Sequence, residues 1–262
     1  MLNLDFTLTK YKQLCQAIVD SQYTTLTFSQ YFSATAILNK FIILRHDVDR
    51  NPERALKMAQ IENDLGIRST YYFRMKEDVF QPNIINEIAN MYHEIGYHYE
   101  VLDKANGNFS GAIKLFEDEL KEFRKIYDVK TICMHGNPLS PWDNRDLWEK
   151  YDFKDFKIIG EPYLSSDYNT LFYLTDTGRS WSSKFSVKDV VNTNLNHTIK
   201  RKNSTGDVIR IIKKMDIEQI CIVAHPERWS NDLRTWLAAL LWQNVKNIGK
   251  LGIIKYRRIF HD

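Results

Sequence analysis

The sequence predicts an α/β fold: a single distorted (β/α)7 barrel over residues 41–262, preceded by a helical extension over residues 1–40 that packs on it. Three observations predict it. Short apolar, β-rich runs alternate with amphipathic stretches, the pattern of βαβ units and parallel pairing. Two of the runs, FIIL and ICIVA, are apolar without interruption, as strands covered on both faces must be. Strand candidates number about seven, and no GxGxxG follows the first, which disfavours a doubly wound dinucleotide-binding sheet.

The elements follow in order. FIILR (41–45) is a strand, and PERALKMAQIENDL (52–65) is a helix with Pro52 at its first position and Gly66 at its stop. TYYFR (70–74) precedes a helix over 83–94, and IGYHYE (95–100) precedes a helix over 111–127. In that last helix Ala112, Phe116, Leu120, Phe123 and Tyr127 form one apolar stripe, while Glu117 and Lys121 pair on the other side. TICM (131–134), KIIGE (157–161) and LFYLTD (171–176) read as further strands. A helix over 207–215, the strand QICIVA (219–224) and a closing helix over 231–245 complete the chain.

Composition narrows the function. With 262 residues, 44% hydrophobic and 26% charged, the chain is neither a disordered tail nor a disulfide scaffold. Its three cysteines (Cys15, Cys133, Cys221) form no CxxC pair, so reduced thiols are expected rather than a cysteine zinc site. A net charge of +3 is too mild to argue for nucleic acid, and the basic patches IKRK (199–202) and KYRR (255–258) read as solvated surface. The longest apolar run, WLAALLW (236–242), falls far short of the ~20 residues of a membrane span. The first residues, MLNLDFTLTKYKQL, lack the apolar core of a signal peptide, so a cytoplasmic address is expected.

The chemistry-bearing residues cluster at strand ends. Of seven histidines, His46, His98, His135 and His225 lie at or just past the C-terminal end of an expected strand, the end that carries the site in βα barrels. In RHDVDRNPERA (45–55), Asp47 and Asp49 are two apart; on extended chain both point the same way, which suits one metal ligand and one general base. The same two residues could instead cap a turn and a helix. His98 and Glu100 form another i,i+2 pair, an ordinary ligand set for Zn2+ or a similar ion. His93, at a helix end, reads as structural. His135 and Gly136 lie in a loop long enough to touch substrate. TDTGRSW (175–181) offers Asp176, Arg179 and Trp181 as an acceptor, a forked donor and a flat apolar face, a mixture suited to a sugar ring. His225 is fixed by the proline after it and suits general acid work.

Taken in order, RHDVDRNPE (45–53), STYYFR (69–74), HEIGYHYE (93–100), CMHGNP (133–138), TDTGRSW and AHPERW (224–229) resemble the polysaccharide deacetylases (carbohydrate esterase family 4). The closer resemblance is to their RHDVD-type, deacetylase-like relatives, and it runs from about residue 41 to 230. It implies a seven-stranded barrel of the deacetylase type, a divalent metal ion, and removal of an acyl group, N-acetyl above all, from a sugar or polysaccharide precursor. Familiar members carry two adjacent aspartates, base then ligand. Val48 stands at the second position here, so Asp47 matches the base and Asp49 has to supply the ligand. They also carry two ligand histidines four apart. His98 matches the first, Leu102 stands at the second, and Glu100 is the nearest replacement, with His135 or His46 as further candidates. His225 matches their acid. The expected site is therefore Asp47 and His225 for catalysis, Asp49, His98 and Glu100 for Zn2+, and His46, His135, Asp176, Arg179 and Trp181 against an acylated sugar. The altered second motif leaves a non-catalytic glycan-binding or scaffold protein on the same barrel as the alternative.

Overall fold

Seven parallel strands make one curled sheet: β1 (Thr24–Leu26), β2 (Phe41–Val48), β3 (Thr70–Phe73), β4 (Glu94–Tyr99), β5 (Ile132–Met134), β6 (Leu171–Thr175) and β7 (Gln219–Ala224). The computed structural model describes residues 4–35, 38–182, 184–191 and 203–260, with side chains as far as residue 255. The patch IKRK and the last three residues of KYRR, read above as solvated surface, lie outside the described side chains.

The strand order is β5-β4-β3-β2-β7-β6, with β1 also on β2. From β2 the chain steps outward to β5, jumps to the opposite edge at β6, and returns beside β2 through β7. That cyclic order belongs to a barrel, not to a doubly wound sheet, whose strand order reverses at its centre. The seam lies between β5 and β6. There the stretch KIIGE, expected as a strand, makes only a bridge from Gly160 to Thr131, and Glu161 caps the short helix that follows. Three-residue β1 was not expected. It pairs with Phe41, Ile42 and Ile43, while β3 takes the same edge of β2 from Arg45 onward.

The helices are α1 (Leu8–Val19), α2 (Phe28–Ser33), α3 (Pro52–Asp64), α4 (Pro82–Asn90), α5 (Val101–Lys104), α6 (Phe109–Arg124), α7 (Pro162–Ser165), α8 (Thr205–Lys214) and α9 (Leu233–Phe260). Pro52 does start α3, Thr7 caps α1, and a capping box between Ser204 and Asp207 starts α8. The closing helix runs to Phe260, well beyond the expected end, and leaves Leu233, Leu237, Leu241, Val245 and Ile248 exposed along one side. Among the described residues no helix is long and apolar enough to cross a membrane.

Alternation along each strand sorts residues into two layers. Phe41, Ile43, Tyr72, Cys133, Leu171, Tyr173, Cys221 and Val223 pack together inside the curl. Ile42, Leu44, Phe172, Leu174, Ile220 and Ile222 face the α1/α8 side, and Tyr71, Phe73, Ile95, Tyr97 and Ile132 pack beneath α4 and α6. Gly96 is required on the inner face: a methyl there would lie 2.3 Å from the Tyr72 ring.

Candidate active site

The inner rows end in chemistry. Phe41 and Ile43 are followed at the same parity by Arg45, Asp47 and Asp49; Gly96 by His98; Cys133 by His135; and Cys221 and Val223 by His225. Asp47, Asp49, His98, His135 and His225 line one cavity of about 790 Å3 at the strands' C-terminal ends. That size suits a small-molecule or sugar site.

Asp47 is held from below. Arg45 donates to both its oxygens, at 2.8 and 2.7 Å, and lies between the rings of Tyr72 and Tyr163. Burial alone would raise the Asp47 carboxyl, but Arg45 and the imidazoles of His98 and His225 bring it down to about 2. Asp47 is thus ionised at neutral pH and fixed in direction.

His98 fixes its own tautomer. Its Nδ1 lies 2.9 Å from the Cys133 carbonyl, which only accepts, so Nδ1 carries the proton. Nε2 then faces two carboxylates, 3.5 Å from Asp49 Oδ1 and 3.9 Å from Asp47 Oδ2. Asp49 Oδ1 also lies 3.6 Å from His135 Nε2 and, though buried, makes no conventional hydrogen bond. Burial opposes ionisation of Asp49, yet His135, His98 and His225 pull it well below the usual carboxylate range. Lone pairs that face one another in this way need a proton or a cation between them.

Asp49 stands from each of these two imidazoles at the spacing of two ligands on one divalent ion. Donors ~2.1 Å from a tetrahedral centre are roughly 3.4 Å apart, close to both edges that Asp49 shares with the imidazoles. Among the described residues the trio whose donor atoms all lie within 4.8 Å of one another is Asp47, His98 and Cys133, so Asp49, His98 and His135 have to draw closer to share an ion. Cys133 is the poorer donor, because burial pushes its thiol well above the ordinary range and keeps it protonated.

Glu100 does not line the cavity. The chain turns into α5 at this residue (φ −143°, ψ 33°), and Arg74 grips both carboxylate oxygens, at 3.2 and 2.5 Å. Its Oε2 lies 3.1 Å from His135 Nδ1, an ion-pair contact whose angles fall outside hydrogen-bond geometry. Glu100 therefore orients His135 instead of joining Asp49 and His98, a correction to the expected ligand set; burial would raise it, but His135 and Arg74 hold it at about 2. Leu102 is buried in the core.

His225 is backed by Asp176. Its Nδ1 lies 2.7 Å from Asp176 Oδ1, and the same carboxylate accepts from Arg228 Nη1 at 2.6 Å, Trp229 Nε1 at 2.9 Å and the His225 backbone at 3.0 Å. Burial and Arg228 lower the His225 pKa, but Asp176 outweighs them and the net direction is upward. With Nδ1 engaged, Nε2 is the nitrogen left for the cavity. Asp176 is wholly buried and does not line the cavity, so it positions His225, a correction to the sugar contact expected of it.

Two other expectations are corrected. His46 lies on the outer row, wholly buried, with Nε2 2.6 Å from Glu62 Oε1 and Tyr11 beside it. Trp181 offers no platform for a sugar: it is wholly buried against Phe6 and Trp229, and its Nε1 donates to Thr205. Arg179 and His135 do line the cavity. Sequence reasoning missed Arg45, whose i,i+2 spacing to Asp47 was a legible signal. It also missed the wall that α9 contributes through Trp242, Gln243, Lys246 and Lys250.

No protein-family model matches the chain, and no curated protein matches its sequence. Solved structures do. The chain is similar to CE4 family structures. A CE4 family pseudoenzyme from Bacillus anthracis is 12% identical with a TM-score of 0.40, covering 81% of this chain and 62% of that one. The peptidoglycan deacetylase PdaC from Bacillus subtilis is 13% identical with a TM-score of 0.40, covering 85% and 98%. The Bc1960 peptidoglycan N-acetylglucosamine deacetylase is 15% identical with a TM-score of 0.39, covering 80% and 82%. The chain thus spans less than two thirds of the Bacillus anthracis structure, and at these values none of the matches decides the activity of this chain.

Proposed function

We propose that the protein is a metal-dependent hydrolase that removes an acyl group, N-acetyl above all, from a sugar or glycan precursor. The observation that carries this reading is the meeting of Asp49, His98 and His135 in one cavity with the tethered carboxylate of Asp47 and the Asp176-backed imidazole of His225. The motif resemblance described above points the same way. Asp49, His98 and His135 would hold the ion, with Zn2+ the best match to one carboxylate and two imidazoles. When bound, such an ion supplies acidification of a water and polarisation of the acyl carbonyl.

The protein's own residues do the rest. Asp47 accepts the proton of the attacking water, and Arg45 holds its oxygens toward that water. A carboxylate at about 2 is a weak base, so it suits a water that is already acidified. His225 donates from Nε2 to the departing amine or alkoxide while Asp176 steadies the imidazolium. Glu100 and Arg74 hold the His135 ring in place.

The test pairs metal content with turnover. Metal-reconstituted protein should hold one divalent ion and release acetate from N-acetylated sugars or aryl acetates. Asp47→Asn should keep the ion and lose at least ~10²-fold in kcat. Protein that holds no ion after reconstitution, or an Asp47→Asn variant with full turnover, would overturn the reading.

A further inference from the structure

The cavity carries more cations than carboxylates, and Asp189, Glu227 and Asp49 are the acidic groups near its lysines. Seven cationic side chains line the cavity against four carboxylates. Arg74 is spent on Glu100 and Arg228 on Asp176, while Asp47 is spent on Arg45. Among the described residues Arg179, Lys246 and Lys250 make no ion pair closer than 4.0 Å.

Arg179 is the most telling of the three. It is only 9% exposed, yet its Nε and Nη2 have no hydrogen-bond partner. Nη1 alone is used, on the Arg228 carbonyl at 3.3 Å, and the guanidinium lies over the Trp236 ring at 4.9 Å. A guanidinium that is buried and left with free donors is costly unless something accepts from it.

Helix α9 brings the two lysines to the same cavity. Asn247 Nδ2 donates to the Gly178 carbonyl at 2.9 Å, and Gln243 donates to Asn247 at 2.8 Å, so the helix is latched beside Arg179. Lys246 and Lys250 share the cavity-facing side with Gln243, at 3–4 spacing. From Leu233 to Phe260 the helix carries no acidic residue to neutralise them. Burial and the neighbouring charges of Arg228 and Lys246 pull the Lys250 amine down to about 8.

We propose that Arg179, Lys246 and Lys250 bind a phosphate or diphosphate group, so that the acylated sugar entering this cavity is a phosphate-bearing one. The choice of a sugar rests on the proposed hydrolase reading; the anion site does not. A single carboxylate would leave most of this charge unmet, whereas a diphosphate offers several acceptor oxygens to Arg179's free donors and both amines.

The test is isothermal titration of the full chain, freed of metal with chelator, with inorganic pyrophosphate at low salt. Wild type should bind, and affinity should fall with added NaCl. Lys246→Gln/Lys250→Gln should raise Kd at least tenfold; both lysines sit on the helix surface, so the fold survives their loss. Arg179→Gln, provided it folds, should do the same. No binding at millimolar pyrophosphate, an unchanged Kd in the double lysine variant, or equal affinity for glucuronate would overturn the proposal. Metal titration of the same samples separates the two readings. Divalent binding without pyrophosphate binding sinks the phosphate site alone, and the reverse sinks the hydrolase alone. With a positive result, uridine diphosphate N-acetylglucosamine against vesicles carrying a polyprenyl diphosphate N-acetylglucosamine tells a nucleotide source from a lipid one.

Discussion

Replacing His135 by alanine tests which residue is the third donor of the proposed metal site. Four-donor structural zinc sites are worth roughly 10–16 kcal/mol, or about 2.5–4 kcal/mol per donor. His135→Ala should therefore weaken zinc binding by ~10²–10³-fold. Glu100 is placed to act on the ring and not on the ion, since its Oε2 faces His135 Nδ1 at 3.1 Å and Arg74 holds both its oxygens. Loss of such an orienting carboxylate typically costs 10–100-fold. Glu100→Gln should fall near the lower end of that range, because the amide keeps the shape beside Nδ1 and only the charge is lost. Competition of the full-length protein against a chromophoric zinc chelator, with circular dichroism to confirm folding, reads both numbers. If Glu100→Gln loses as much affinity as His135→Ala, or His135→Ala binds like wild type, the assignment of His135 is wrong.

Three further outcomes are expected. Asp176→Asn removes the charge that raises His225, so the alkaline limb of the kcat/KM profile should move to lower pH and kcat should drop ~10²-fold or more; an unmoved limb would refute the pairing. Glu62 is buried, which would raise its pKa, but His46, His93 and Ser69 hold it at about 2 against an ordinary 4.5. Its folded pKa is depressed, so the stability it contributes, roughly 3 kcal/mol, is complete above about pH 4.5 and is lost as pH falls toward 2; Glu62→Gln should flatten acid denaturation in that window. Leu102→His introduces the residue that the resembled deacetylases carry at this place in their motif, but the side chain lies in the core. It should cost about 2–4 kcal/mol in urea denaturation without raising metal affinity.

Much of the site was legible because strand parity is a strict rule. Asp47 and Asp49 were expected on one face, and both line the cavity. The same rule, applied one residue over, excludes His46, which alternates outward to Glu62. Parity fails at Glu100 because the strand ends at Tyr99 and the backbone turns there, a change that residue spacing does not carry. The stretch KIIGE has the composition of a strand, but a lone bridge to Thr131 is all the pairing it has. The three-residue β1 is too short to show a period. Arg179's role depends on α9 arriving from some seventy residues away, a contact that no local pattern announces.

The curl changes membership along its axis. At the floor, β2 is flanked by β1; nearer the mouth, the same edge belongs to β3. A fragment cut at the first recognisable motif would thus be a cask short of one stave at its base. The damage would also surface far from the cut: Phe6 would no longer wedge against Trp181 and Trp229, and the Thr205 amide would lose the Asp5 carboxylate that receives it.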